Sequence, residues 1–134
     1  MSIEMVKEFN EKFGFPNGDH DILTGDYQAE KHRVDFLSEE LNELWVAFIK
    51  SDKIGAFDAL LDLVYVAQGT ALFMGISPAE WNAGMAAVHK ANMAKVRVEN
   101  VSESKRKMPY DARKPDGWVG PEEMLASIIK IRRG

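Results

Sequence analysis

The stretch from Ile54 to Phe73 is apolar nearly all round, yet it carries Asp58 and Asp62 one helical turn apart. Nothing in the stretch breaks a helix, so it predicts a central helix of the fold. Aspartate is a poor residue for a helix interior, and an unpaired buried carboxylate costs several kcal/mol. The two aspartates therefore need a partner, which constrains what packs against this helix.

A second acidic run lies on the preceding predicted helix, which extends from about Tyr27 to Ile49. Glu39, Glu40 and Glu43 occupy two turns of it, and the i,i+3 spacing of the last two projects both from one face. In an antiparallel helix pair, these glutamates and the two aspartates would crowd one another unless a cation lay between them. Oxygen-only ligands suit Mg²⁺ or Mn²⁺.

Other interpretations of the acidic residues stay open at this point. Arg33 or Lys31 is a possible partner for the aspartates, and acidic residues also commonly cover solvated helix faces. Nitrogen ligands are missing from the pattern, because His20, His32 and His89 are far apart in sequence and no Glu-x-x-His occurs. The missing motif argues against a di-iron carboxylate bundle.

The rest of the chain also favours helices. Apolar residues recur at helical spacing from Ile3 to Phe13, and Gly14 ends this first helix. Ser77 and Glu80 form a capping box that opens a fourth helix, which runs to about Val96. No stretch shows convincing strand alternation. The predicted fold class is therefore all-α, a four-helix bundle with a C-terminal loop and a short helix.

The chain has 134 residues, which fits a single domain over 1–134 with its core at about 3–97. The polar segment from Val98 to Gly120 is predicted to be an irregular loop of the kind that is usually functional or disordered. A short last helix opens at Pro121 and ends in Arg132 and Arg133.

Composition excludes several classes of function. The net charge is −4, which argues against broad attraction to nucleic acid or to a membrane surface. Absence of cysteine excludes disulfides, thiolate catalysis and cysteine-type zinc sites. No apolar run is expected to approach membrane-spanning length, and the polar N-terminus does not resemble a signal peptide. These features are compatible with a cytoplasmic protein.

The fourth helix carries a second polar face, on which His89, Asn92 and Lys95 are spaced i, i+3, i+6. Lys95 also suits the negative end of the helix dipole, which is its structural role. One or two cations near an acid-bound metal would suit a phosphate chain. Trp118 either stacks on a base or anchors packing. Basic residues follow in the loop: Lys105, Arg106, Lys107, Arg113 and Lys114.

In these motifs the chain resembles the all-α nucleoside triphosphate pyrophosphohydrolases, the group of MazG, phosphoribosyl-ATP pyrophosphohydrolase and dimeric dUTPase. Glu39-Glu40-x-x-Glu43 matches the group's Glu-Glu-x-x-Glu, and Asp62 with the following Leu-Val-Tyr matches its terminal aspartate. Further stretches over residues 3–120 are similar to small stand-alone MazG-like members, including phage ones; they run 9–14, 33–41, 58–71 and 88–96.

The chain departs from that group at one ligand position. Many relatives have glutamate three residues before the terminal aspartate, where this chain has Ala59, and Asp58 is the expected substitute.

The resemblance implies hydrolysis between the α- and β-phosphates of a nucleoside triphosphate, giving a monophosphate and pyrophosphate. It implies that Glu40, Glu43, Asp58 and Asp62 hold two or more metal ions, with Glu39 orienting or deprotonating water or acting as a bridging ligand. Lys95 would contact phosphate and Asn92 phosphate or sugar, and the residues expected to complete the substrate contacts are His89, Lys114 and Trp118.

Members of the group are obligate oligomers, so a homodimer or homotetramer is expected. The first substrate candidates are dGTP or GTP and dUTP. The alternative is a non-catalytic helical nucleotide sensor or structural oligomer that kept the scaffold.

Overall fold

The computed structural model describes residues 2–15 and 27–129. It divides into two compact units, Met1–Pro78 and Ala79–Gly134. Three helices form the first unit: α1 (Ser2–Phe13), α2 (Tyr27–Ile49) and α3 (Lys53–Phe73). From Pro78 onward come α4 (Pro78–Met93), the strands β1 (Val96–Arg97) and β2 (Ala112–Arg113), and α5 (Glu122–Ile128). The predicted all-α class, with four main helices, a loop and a short last helix, is confirmed.

α3 is the helix on which the other two helices of the first unit pack. α1 runs antiparallel to it, because the Gln68 amide donates to the Ser2 hydroxyl at 2.7 Å while the Phe9 ring meets Tyr65. Ile3 and Val6 are the largest fully buried side chains of the described residues. Burial of such a side chain stabilises the fold by about 1.5–3 kcal/mol.

The ends of α3 follow from local chemistry. Asp52 is the N-cap, and its carboxylate accepts a hydrogen bond from the Gly55 backbone N–H at 2.9 Å. At the other end Gly75 adopts a φ of +87°, and its N–H bonds to the Leu72 carbonyl. The Ile76 N–H bonds to the Ala71 carbonyl, which completes a Schellman motif. α3 therefore ends just before this glycine.

The second unit contains a strand pair that the sequence did not indicate. β1 and β2 are antiparallel, with Val96 opposite Arg113 and Arg97 opposite Ala112. α4 therefore ends at Met93 instead of about Val96. The segment from 98 to 120 is thus partly ordered by this pairing, and Val98 within it is only 3% exposed. The predicted C-terminal end of the last helix, at Arg132 and Arg133, lies outside the described residues.

The expectation that no apolar run approaches membrane-spanning length was wrong. α3, with 21 residues, is long enough and apolar enough to cross a membrane by length and composition alone. The central helix of a packed unit passes the same test, and both α1 and α2 contact α3. The carboxylates of Asp58 and Asp62 on this helix would be costly within a bilayer.

Candidate active site

Three carboxylates from two helices converge in the first unit. Glu40 and Glu43 on α2 and Asp62 on α3 each offer one oxygen, and these oxygens all lie within 4.8 Å of one another. The i,i+3 spacing places both glutamates on one side of α2, and the close packing of α2 on α3 brings Asp62 opposite them. The convergence predicted from the sequence is therefore present for these three residues.

Glu40 is the most constrained of the three. It is 8% exposed, and its Oε2 atom is buried without a hydrogen-bond partner. Burial raises the pKa of Glu40, as do the charges of Glu43 and Asp62, a hydrogen bond with the Glu43 side chain and the charge of Glu39. An unpartnered buried carboxylate oxygen among like charges is the arrangement that a bound cation would satisfy. The oxygen-only donor set fits Mg²⁺ or Mn²⁺.

Glu39 and Asp58, the other two predicted acidic site residues, are exposed and are not part of this group of three. Asp58 precedes Asp62 by one turn of α3, so the two project from the same side of that helix. Glu39 is close enough for its charge to raise the pKa of Glu40. Ligation by Asp58 and water activation by Glu39 stay predictions.

The cations suggested as structural partners for the aspartates have other partners. Lys31 pairs with Asp35 at 2.7 Å on the surface of α2. Arg33 donates from Nε to the Thr70 hydroxyl at 3.0 Å and from a terminal nitrogen to the Val66 carbonyl at 2.9 Å. The interpretation of Arg33 or Lys31 as the counter-charge of Asp58 and Asp62 was therefore wrong.

Arg33 reaches α3 because of a glycine. A Cβ atom at Gly69 would lie 2.8 Å from a terminal nitrogen of Arg33. The missing side chain leaves room for the guanidinium between α2 and α3, where burial lowers its pKa. The resulting contacts hold α2 in register with α3, on the same side of α2 as Glu40 two turns later.

Two predicted substrate-binding lysines meet at one tryptophan in the second unit. The Nζ atoms of Lys95 and Lys114 lie 5.4 and 4.8 Å from the centroid of the Trp118 ring, within the range of cation–π attraction. The Trp118 indole N–H donates to the Ala91 carbonyl at 2.8 Å, so this residue is a packing anchor at the end of α4. Its stacking on a base stays a prediction.

The other two predicted substrate contacts lie on the same helix. His89 and Asn92 are both exposed on α4. The Asn92 carbonyl accepts the Lys95 backbone N–H at 3.1 Å, which ties the last turn of α4 to the start of the strand pair. Their side chains are therefore accessible, and their contact with substrate stays a prediction.

A network of hydrogen bonds that the sequence did not indicate orders the segment between the strands. The buried Ser104 hydroxyl donates to Asp111 at 2.6 Å and accepts the backbone N–H groups of Arg106 and Met108. Arg106 also pairs with Asp111 at 2.8 Å. These bonds, led by that of Ser104, lower the pKa of Asp111. Hydrophobic periodicity does not predict such a network, and the segment was predicted as an irregular loop.

The family model for phosphoribosyl-ATP pyrophosphohydrolase matches residues 6–92 of this chain. The matched stretch includes all five acidic candidates and most of α4, and it ends before Lys95, Lys114 and Trp118. No curated protein matches the chain.

Proposed function

The chain belongs to the phosphoribosyl-ATP pyrophosphohydrolase family, within the MazG-like all-α nucleoside triphosphate pyrophosphohydrolases, and from this premise we propose its reaction. It is a hydrolase that cleaves a phosphoanhydride bond of a nucleotide-like substrate. The proposed reaction breaks the α–β bond of a nucleoside triphosphate by water, giving a nucleoside monophosphate and pyrophosphate. The first candidates are dGTP or GTP and dUTP.

The observation that carries the proposal is the unpartnered Glu40 Oε2, held beside Glu43 and Asp62. These residues would hold Mg²⁺ or Mn²⁺, and Asp58 would add a ligand for a second ion. Bound there, the cation would neutralise the polyphosphate and polarise the phosphoryl oxygen under attack. Glu39, exposed next to the group, would orient the attacking water and take its proton. The leaving pyrophosphate departs with the bonding electron pair.

The pair of lysines at Trp118 is proposed to bind the substrate's phosphates. Two ammonium groups beside one ring repel each other, and an anion bound by both would remove that repulsion. The ring itself is held by the hydrogen bond from its N–H to the Ala91 carbonyl, and each amine lies within 5.4 Å of its centroid. Asn92 and His89, on the accessible side of α4, would contact phosphate or sugar.

A homo-oligomer, dimer or tetramer, is proposed as the working form. Support comes from large apolar side chains that the single chain leaves exposed on α2 and α3, including Trp45 at 63%, Phe48 at 58%, Ile54 at 83% and Phe57 at 62%. Apolar surface of this extent is typical of a protein–protein interface. We place the protein in the cytoplasm, without nucleic-acid or membrane partners.

Product analysis tests the reaction. The protein is incubated with Mn²⁺ or Mg²⁺ and a panel of ribo- and deoxynucleoside triphosphates, and the products are separated. The proposal expects a monophosphate and pyrophosphate, and no turnover after the metal is chelated. Release of orthophosphate would contradict α–β cleavage. Binding of nucleotide without any turnover would favour the non-catalytic alternative, in which the scaffold serves as a sensor or structural oligomer.

A further inference from the structure

Four aromatic rings form one connected cluster in the first unit. Phe9 meets Phe13 at 4.8 Å, Phe15 at 5.8 Å and Tyr65 at 5.6 Å between ring centroids. Phe13 and Phe15 stack at 6.1 Å with an interplanar angle of 29°. An aromatic cluster that only filled a core would be buried. These four side chains are instead 39–53% exposed.

The cluster lies beside the acidic group. Tyr65 follows Asp62 by three residues, so the two side chains are neighbours on α3, about 5–6 Å apart at Cβ. Because α1 runs antiparallel to α3, the step from Phe9 to Phe13 leads from the level of Tyr65 toward that of Asp62. The rings and the acids therefore border each other within one unit.

We propose that this aromatic platform, formed by Phe9, Phe13, Phe15 and Tyr65, binds the nucleobase of the substrate by stacking. The inference rests on the proposed function, which makes the ligand a nucleotide. A nucleotide whose phosphates lie at the acidic group needs an apolar, flat-faced surface nearby for its base. Exposed rings supply such a surface, and stacking tolerates every base because each has a π-face. Stacking thus adds affinity without choosing the base.

The test distinguishes binding of the nucleobase from binding of the phosphates. Calorimetric titrations use the full chain with Ca²⁺, which keeps the measurement on binding. The probes are four deoxynucleoside triphosphates and inorganic tripolyphosphate, which lacks a base. Phe13→Leu and Phe15→Leu keep apolar volume at half-exposed positions, and either variant suffices if the other does not fold. Tyr110→Leu, at an exposed aromatic residue of the second unit, is the matched control.

We expect each platform variant to bind the nucleotides about tenfold more weakly, while tripolyphosphate affinity changes less than about twofold. Tyr110→Leu should leave both affinities unchanged. Equal losses for both probes, no loss for either, or a changed oligomeric state without a nucleotide effect would overturn the platform; the last result would assign it to a second copy of this chain.

The outcome is independent of turnover. If the protein binds nucleotides through the rings but hydrolyses none of them, the platform stands and the proposed reaction falls. If it hydrolyses nucleotides with unchanged affinity in both platform variants, the reaction stands and the platform falls.

Discussion

Glu40 on α2 and Asp62 on α3 present carboxylate oxygens within 4.8 Å of each other, and one Glu40 oxygen is buried without a partner. In a protein without bound metal, this arrangement opposes folding, because burial and like charge both disfavour the ionised forms. A site that is unfavourable when empty and favourable when filled by a cation couples folding to metal binding.

The first prediction concerns Glu40→Gln. The substitution removes one of the crowded charges, and the new amide can donate to Glu43 or Asp62. We expect the free energy of unfolding of the metal-free variant at pH 7 to rise by about 1 kcal/mol. Mn²⁺ should raise the midpoint of thermal unfolding of the wild type but not that of the variant. Glu8→Gln, an exposed acid on α1, is the control and should change neither quantity.

The second prediction is a pH dependence of the metal-free protein. Because the pKa of Glu40 is raised on folding, the folded state binds its proton more tightly than the unfolded state. Its contribution to stability is fully present below the unfolded value of about 4.3 and is lost as pH rises through the folded pKa. Urea unfolding should therefore show stability increasing as the pH falls from neutral toward the unfolded pKa, and Glu40→Gln should flatten this slope.

The contribution of Asp111 to the pH dependence of stability has the opposite sign and falls in a separate pH range. Its pKa is lowered on folding, so its stabilisation is present above about 3.9 and is lost as pH falls through the folded value. Measurements above about pH 4.5 therefore report on Glu40 and not on Asp111. A slope unchanged by Glu40→Gln would contradict the assignment.

The helices were predicted from the sequence, and three of the five predicted acidic residues converge in the structure. Both outcomes have a physical reason. Helical periodicity and caps are local, and the range predicted for α2, 27–49, is the one observed. The i,i+3 glutamates and an aspartate inside an apolar helix mark a face that needs a cation. Asp58 was grouped with Asp62 because the two are spaced i,i+4. Its exposed position depends on how α2 and α3 cross, which the spacing does not specify.

The second unit was less predictable because its order depends on single polar contacts. Strands of two residues are too short to show alternation. The bond from Ser104 to Asp111 joins residues seven apart through side chains alone, and nothing in the pattern marks it. Likewise, no sequence rule indicated that Arg33 would use the space left by Gly69.

The third prediction separates the two aspartates of α3. Asp62→Asn removes a member of the convergent group, so nucleotide hydrolysis should fall by at least about 100-fold while the circular dichroism spectrum stays helical. Asp58→Asn, one turn earlier and exposed, should cost about tenfold, as expected for a residue at the edge of a metal site. Turnover by Asp62→Asn at the wild-type rate would place the chemistry elsewhere.

The fourth prediction concerns the lysines at Trp118. Lys95→Met or Lys114→Met should raise KM for the nucleotide about five- to tenfold with a smaller change in kcat. Stability should change little, because the repulsion between two ammonium groups is removed together with one cation–π contact. Lys105→Met, at an exposed lysine of the same segment, should leave KM unchanged. If KM stayed constant in the Lys95 and Lys114 variants, these residues would have only a structural role.

The fifth prediction tests the register of the two acidic helices. Gly69→Ala places a methyl group 2.8 Å from an Arg33 nitrogen, so the guanidinium must move and its hydrogen bonds to Thr70 and Val66 weaken. We expect a loss of about 1–3 kcal/mol in the free energy of unfolding and a weaker Mn²⁺ affinity. Gly84→Ala is the matched control, because its methyl group would meet Leu125 at an ordinary 3.4 Å. That change should be neutral or stabilise α4 by up to about 1 kcal/mol.

Anomalous diffraction from crystals soaked in Mn²⁺ tests the central claim most directly. We expect a manganese peak between Glu40, Glu43 and Asp62, at about 2.0–2.3 Å from their oxygens, as hard divalent cations bind oxygen ligands. A map at the same manganese concentration with no peak there, and with the three side chains pointing apart, would contradict the account.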